Sequence, residues 1–343
     1  MSTEYGAIII FVLMILAIGL SFSIGANDET VAPLAAAGTI KFKLILILGG
    51  VAIAFGMIFL SEGVASLVGE KILGPGIKYT IFMLLSVLIS SILWLVIGSF
   101  YGIPLSSTHS LIGSIFGVVI VYALFVGNVD PVTAFNQEKL MGVVISWFIS
   151  PLAGLVVTYV LYKIIAKLFL SKLKGLNQIE KSESRFAWSL LLAVFFAEIW
   201  VGANSAEALG ILYAMHSNGE ISLGMYYLLV VICGIFAFLG LYIAGRYVVR
   251  NLASQLTDAR PSDGFIIQLS SALILMVSTV IFSVPISHSH VIVFCIIGMN
   301  LAQKKEVDYR GLGKMFVFWV LTFPIAALFA GFLYFGFISF GLY

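Results

Sequence analysis

The sequence predicts an all-α polytopic membrane protein, built from two inverted-topology repeats with broken helices. Three observations predict it. First, 61% of the 343 residues are hydrophobic and 10% are charged, with a mean hydropathy of +1.14. A water-soluble core cannot use that much apolar surface, so lipid is the solvent for most of the chain. Second, several apolar runs of about twenty residues, long enough to cross a bilayer, stop at Gly, Pro or Asn. Breaks of that kind are tolerated in lipid only where the freed backbone groups face protein or a water-filled cavity. Third, two short motifs recur in the same order.

The elements follow in chain order. The first apolar run, 6–24, is preceded by Glu4 and no basic residue, so it reads as a retained span and not as a cleaved signal peptide. It leads into "IGANDETVAP", Ile24 to Pro33. Gly25 and Ala26 permit close approach, and Asn27 and Asp28 are expected to cap a helix resuming in "ETVAPLAAA". Runs at 43–67 and 79–100 lead to "GIPLSSTHSLIG", Gly102 to Gly113, and runs at 108–127 and 139–163 close the first half. The polar stretch from Ser171 to Arg185 reads as a linker. The second half opens with the run 186–201, ending in "VGANSAEALG", Val201 to Gly210, at an offset of 177 from Ile24. Runs at 223–247 and 264–283 precede "SVPISHSHVIVF", Ser283 to Phe294, at an offset of 181 from Gly102, and runs at 289–303 and 315–340 follow. Two markers at nearly one offset divide the chain into a first repeat 1–164, a linker 165–185 and a second repeat 186–343.

Loop charge supplies the orientation. Lys163, Lys167, Lys172, Lys174, Lys181 and Arg185 put the linker on the cytoplasmic side. The basic loops 246–263 and 304–314 belong there too, whereas loops 128–138 and 216–222 hold no Lys or Arg and fit the outside. Both termini are then external, and each half enters the membrane from an opposite side. Inverted repeats with broken helices are the build of a secondary transporter, with its site near the midplane. The expected location is the plasma membrane, multi-pass.

The motifs carry two kinds of chemistry. At the first break, carbonyls freed at a helix end and the acids Asp28 and Glu29 suit a cation. The second copy keeps Asn204, has Ser205 in place of the aspartate, and adds Glu207 two residues on. At the Pro-hydroxyl motif, Pro104 bends an incoming helix. Ser106, Ser107 and Thr108 then stand where free N–H groups and hydroxyls converge, a neutral cradle for an oxyanion. The mirrored element offers Ser287, His288, Ser289 and His290. The plainer reading is that such hydroxyls cap helices and bond to nearby backbone. His109 and His290 are expected to orient the loops, while His288 can donate to an anion if protonated. Glu198, one to two turns before the second break, is either functional or a protonated glutamate bonded to a neighbouring helix. Cys233 and Cys295 lie in apolar runs and read as small buried hydrophobes. A net charge of +2 does not suggest a nucleic-acid partner.

Taken together, "GAND" at 25–28, "GAN" at 202–204, "IPLSSTHSLIG" at 103–113 and "VPISHSH" at 284–290 resemble the signatures of the inorganic phosphate transporter (PiT) family. "GRYVV" at 245–249 and "SDGF" at 262–265 also look like its segments. The resemblance implies sodium- or proton-coupled uptake of inorganic phosphate, no cofactor, a homodimer in the lipid bilayer, and Pro-hydroxyl motifs at the tips of re-entrant hairpins. By motif it implies substrate contacts from Ser106, Ser107, Thr108, Ser287, Ser289, Asn27 and Asn204, to which the reading of the residues adds His288. It implies ion contacts from Asp28, Asn27 and Asn204, and the reading of the second break adds Ser205 and Glu207 as sodium contacts. The chain departs from the family pattern at Val31 and Ala208, where asparagines are usual, and at Ser205 and His288. A sulfate or other oxyanion permease of the same fold is the nearest alternative. An intramembrane Ser/His hydrolase is a remote one, since catalysis does not require its groups to be duplicated. A passive channel explains the broken, inverted helices less well than a transporter does.

Overall fold

The computed structural model describes residues 3–38, 40–100, 106–205, 207–255, 260–307 and 309–343. They are almost entirely helical, with one isolated antiparallel bridge between Leu73 and Phe135. In the first half, α1 (Thr3–Ala26) breaks and resumes as α2 (Ala32–Ala37). α3 (Phe42–Leu60) is followed by the short α4 (Glu62–Ser66) and a π-helical turn, Leu67–Lys71. α5 (Ile81–Phe100), α6 (Ser107–Phe125) and α7 (Gln137–Leu168) complete it. The second half runs α8 (Leu176–Asn204), α9 (Glu207–Ser217), α10 (Leu223–Gly240), a π-helical turn Leu241–Gly245 and α11 (Arg246–Gln255). It continues with α12 (Pro261–Val277), a π-helical turn Ser278–Phe282, α13 (His288–Gln303) and α14 (Tyr309–Ser339). Among the described residues, eight helices are long and apolar enough to cross a membrane.

Polarity is turned inside out relative to a soluble protein. Phe59, Phe148, Leu328 and Phe332 are exposed, whereas Ser86, Ser90, Ser91, Ser114, Glu198 and Gln268 are buried. Lipid rewards the first set, and the second set must find partners inside.

The sequence expects a linker over 165–185, but α7 continues to Leu168, a single 3-10 turn covers Leu170–Lys172, and α8 begins at Leu176. Gly175, at φ 81, marks the turn between them. "LNQIEKSESRFA" is rich in good helix formers, so a charged segment beyond the bilayer has no reason to leave the helix.

Packing pairs the halves reciprocally. α1 packs on α10 and α3 on α8; α6 packs on α14 and α7 on α13. Matching the motifs pairs α1 with α8 and α6 with α13, so exchanging the halves turns each contact into its partner. The signature glycines explain the first pair of contacts. A Cβ on Gly25 would lie 1.9 Å from the Ala237 carbonyl oxygen, and one on Gly202 would lie 2.0 Å from that of Ile53. Only a missing side chain lets the backbones come this close, which is how small residues drive helix association in lipid. α7 and α14 each carry one interior proline, Pro151 and Pro324.

Candidate functional site

The second hairpin, α12 to α13, is seen whole. The chain reverses at Ser283, in the left-handed region at φ 52, and continues as extended backbone into Ser287. Irregular backbone at membrane depth needs partners, and Asn204 supplies them. Its amide nitrogen donates to Thr279 Oγ1 at 2.9 Å and to the Val284 carbonyl at 3.2 Å, and its oxygen accepts from Ile286 N–H at 2.9 Å. Ser278 Oγ also donates to the Val284 carbonyl, at 2.6 Å. Asn204 therefore positions the tip of the hairpin from inside its own half. The corresponding bend at Pro104 lies outside the described residues.

Both tips end in a capped helix. Ser106 is the N-cap of α6 and accepts from the His109 backbone at 3.2 Å; Ser287 is the N-cap of α13 and accepts from His290 at 3.5 Å. Each of these two hydroxyls satisfies an N–H left unpaired at a helix start. The histidines lock the tips together. The rings of His109 and His290 lie 4.7 Å apart, His109 stacks on Trp147 at 4.0 Å, and His290 sits 3.9 Å from Trp319. Thr108 Oγ1 reaches the Ile286 carbonyl at 3.4 Å. The N-termini of α6 and α13, with their positive dipole ends, thus meet at one place.

The remaining hydroxyls cross between halves. Thr108 Oγ1 lies 3.4 Å from Glu207 Oε1, and Ser107 bonds the same carboxylate. Reciprocally, Ser289 Oγ donates to Glu29 Oε1 at 3.2 Å. Each tip therefore presents hydroxyl donors to an acid at the other half's helix break. His288 is within electrostatic reach of Asp28, and its Nε2 has no hydrogen-bond partner.

The first break differs from expectation. The N-cap of α2 is Val31, without a side-chain cap. Asp28 instead closes a local turn, Oδ1 accepting from Thr30 N–H at 2.9 Å and from Thr30 Oγ1 at 2.7 Å. That turn pushes the start of α2 beyond Asn27 and Asp28. Asn27 is exposed and donates to the Ser23 carbonyl at 3.0 Å, so it is not brought to the meeting of the tips. Ser205 likewise turns back, donating to the Val201 carbonyl at 2.8 Å. The structure adds Thr30, Thr279 and Gln268 to the constellation and gives Glu29 a partner. Gln268 is buried and donates to the Thr30 carbonyl at 3.0 Å. An isolated Gln in "GFIIQLSSALIL" is the signal that would have found it, since polar residues inside a membrane span tend to be functional.

Asp28 and Glu198 lie within hydrogen-bonding reach of each other, and no N–H or O–H donor of another residue reaches Asp28 Oδ2, either Glu198 oxygen, Glu207 Oε2 or Gln268 Oε1. Among the described residues the one salt bridge, Lys139 to Glu138, lies at the surface, and no three His, Cys, Asp or Glu group as a metal cluster. The site thus offers neutral donors suited to an oxyanion beside acidic oxygens suited to a cation.

The phosphate transporter family matches residues 24–330. A Bacillus subtilis protein named as a probable low-affinity inorganic phosphate transporter is 26% identical over 343 residues, covering 96% of this chain and 97% of its own length. A Rhizobium meliloti protein of the same name is 28% identical over 283 residues, covering 81% of this chain and 80% of its own. Among solved structures, one described as "The sodium-dependent phosphate transporter" superposes with a TM-score of 0.83 at 20% identity, covering 96% of this chain and 99% of that one. At that identity the superposition speaks for the fold.

Proposed function

The chain belongs to the phosphate transporter family, and from that membership we propose that it carries inorganic phosphate across the membrane coupled to sodium. The observation that carries the reading is the meeting of two helix N-termini whose hydroxyls, Ser107, Thr108 and Ser289, reach acids of the opposite half. Neutral donors at positive helix ends hold an oxyanion without the grip of a Lys or Arg, which eases release. In this reading Ser106, Ser287 and Asn204 shape the tips, and Ser107, Thr108, His288 and Ser289 face the substrate. Asp28, with unpartnered Oδ2, is the leading sodium ligand, and Glu207 is the second acid at the site.

The halves, 1–164 and 186–343, are read as inverted. α1 with α2, then α3, then α7 give the first half three crossings, while α5 and α6 fold back as a hairpin. An odd number of crossings reverses the second half, as the loop charges require. Both termini are then external, in the plasma membrane, and the working unit is read as a homodimer. The similar solved structure is that of a sodium-dependent transporter, which supports sodium over the proton.

The Ser106–His109 contact, 2.7 Å between Oγ and Nδ1, has the form of a nucleophile and its base. It is a helix cap closed in by Trp147, and the family is one of transporters, not of hydrolases. The test is uptake of labelled phosphate into proteoliposomes, with sulfate as competitor and sodium and pH gradients imposed separately. Saturable phosphate uptake driven by inward sodium is expected. Equal transport of sulfate would overturn the substrate, and uptake driven by pH alone would overturn the coupling ion.

A further inference from the structure

The offset of 177 that aligns the two signatures also sets Ser21 against Glu198 and Asp28 against Ser205. The halves have exchanged a serine and an acid. In the first half the serine precedes the break and the acid follows it; in the second half the order is reversed. The structure shows what the exchange does. Both serines are satisfied within their own helices: Ser21 Oγ donates to the Ala17 carbonyl at 3.1 Å, and Ser205 Oγ to that of Val201 at 2.8 Å. Each has spent its one proton on its own helix and is neutral, so neither brings negative charge to a ligand.

Both acids, by contrast, come together. Glu198 on α8 is 0% exposed, and the charged groups acting on it are Asp28 first and Glu29 after it. The two carboxyl groups lie within hydrogen-bonding reach of each other, and no N–H or O–H donor of another residue reaches either Glu198 oxygen or Asp28 Oδ2. α3 leaves room for this carboxylate at Gly49, where an added Cβ would stand 3.3 Å from Glu198 Oε1 and 2.6 Å from Val31 Cγ1. Gln268, 0% exposed, is tied through Nε2 to the carbonyl of Thr30, the residue that caps Asp28 Oδ1, and its own Oε1 is unpartnered. Two carboxyl groups side by side in a medium of low polarity, with several oxygens unused, are strongly disfavoured unless something positive stands between them.

We infer that Glu198 is a sodium ligand that joins Asp28 in one two-carboxylate cation site at the first helix break. The inference rests on the transport reading and deepens it. Exact repeat symmetry would set an acid at 28 against one at 205; here the partner acid of Asp28 is Glu198, beside the first break, while Glu207 stands at the second. Hard carboxylate and amide oxygens are the donors a monovalent metal cation takes.

The test measures binding of labelled sodium to purified protein without phosphate, alongside sodium-dependent phosphate uptake in proteoliposomes. The variants are Glu198→Gln, which keeps the shape, and Glu198→Ser, which installs the counterpart found at Ser21; gel filtration reports whether each is folded. The expected result is a rise of about tenfold or more in the sodium concentration for half-saturation of both binding and uptake. Sodium binding by a folded variant within about twofold of wild type would overturn the inference while leaving the transport reading intact. Wild-type protein that binds no sodium and takes up phosphate on a pH gradient alone would also overturn it, as the outcome of a proton shared by the two carboxyls. Sodium binding that depends on Glu198, in a protein that carries no phosphate, would sustain the inference and remove the transport reading.

Discussion

Asn204 and Ile286, 82 residues apart in sequence, are joined by a hydrogen bond of 2.9 Å from the Ile286 N–H to the Asn204 side-chain oxygen. The same side chain donates to the Val284 carbonyl and to Thr279. The signature asparagine of the second half is therefore a template for the hairpin tip. Asn204→Ala is expected to leave the Ile286 N–H without its partner, at a cost of about 1–3 kcal/mol, while the Val284 carbonyl keeps its bond from Ser278. A lower melting temperature in detergent together with lost uptake checks it. Unchanged stability would mean that the tip does not depend on Asn204.

The two tip hydroxyls that are not caps on the first hairpin, Ser107 and Thr108, are expected to carry phosphate. Replacing them by alanine and valine together should abolish phosphate binding in a protein that still folds, with a lowered melting temperature from the lost bonds to Glu207. Hydrogen bonds to a charged group contribute about 1.5–3 kcal/mol each, so the loss is well within reach of a direct binding measurement. Full phosphate affinity in the folded double variant would remove this hairpin from the site.

Asp28→Asn keeps an acceptor for Thr30, and with it the local turn, but removes the charge. Expression and folding should hold, and the sodium dependence of uptake should weaken or vanish. Uptake as a function of sodium at fixed pH is the measurement. Transport that follows pH alone in both proteins would assign the coupling to protons.

Inversion of the halves requires the turn near Lys174 to be cytoplasmic and the loop near Asn128 to be external. Single cysteines at these positions, in a background lacking Cys233 and Cys295, can be probed on intact cells with an impermeant thiol reagent. Labelling at Asn128 and protection at Lys174 is the expected pattern. The opposite pattern would turn the molecule over in the membrane, and labelling at both would break the inverted arrangement.

The membrane-helical fold and its helix breaks were legible from residues alone because lipid is an unforgiving solvent. A polar or helix-breaking residue in an apolar run has few innocent explanations there, so "GAND", "PLSSTHS" and "PISHSH" stood out at once. The assignment of each polar group depended on partners far away in the chain. Ser106 and Ser107 are neighbours with the same side chain, yet one caps α6 and the other reaches Glu207 on the opposite half. Asn27 and Asn204 occupy matched places in the repeat, yet one is exposed and bonds within its own helix while the other holds a hairpin tip. Glu198 and Asp28 belong to different repeats, and only the packing of α8 beside the first break brings them together. Local pattern records where the backbone must bend and where charge is buried; which oxygen faces which donor follows from how the two halves interlock, a matter of distances that no single stretch of sequence contains.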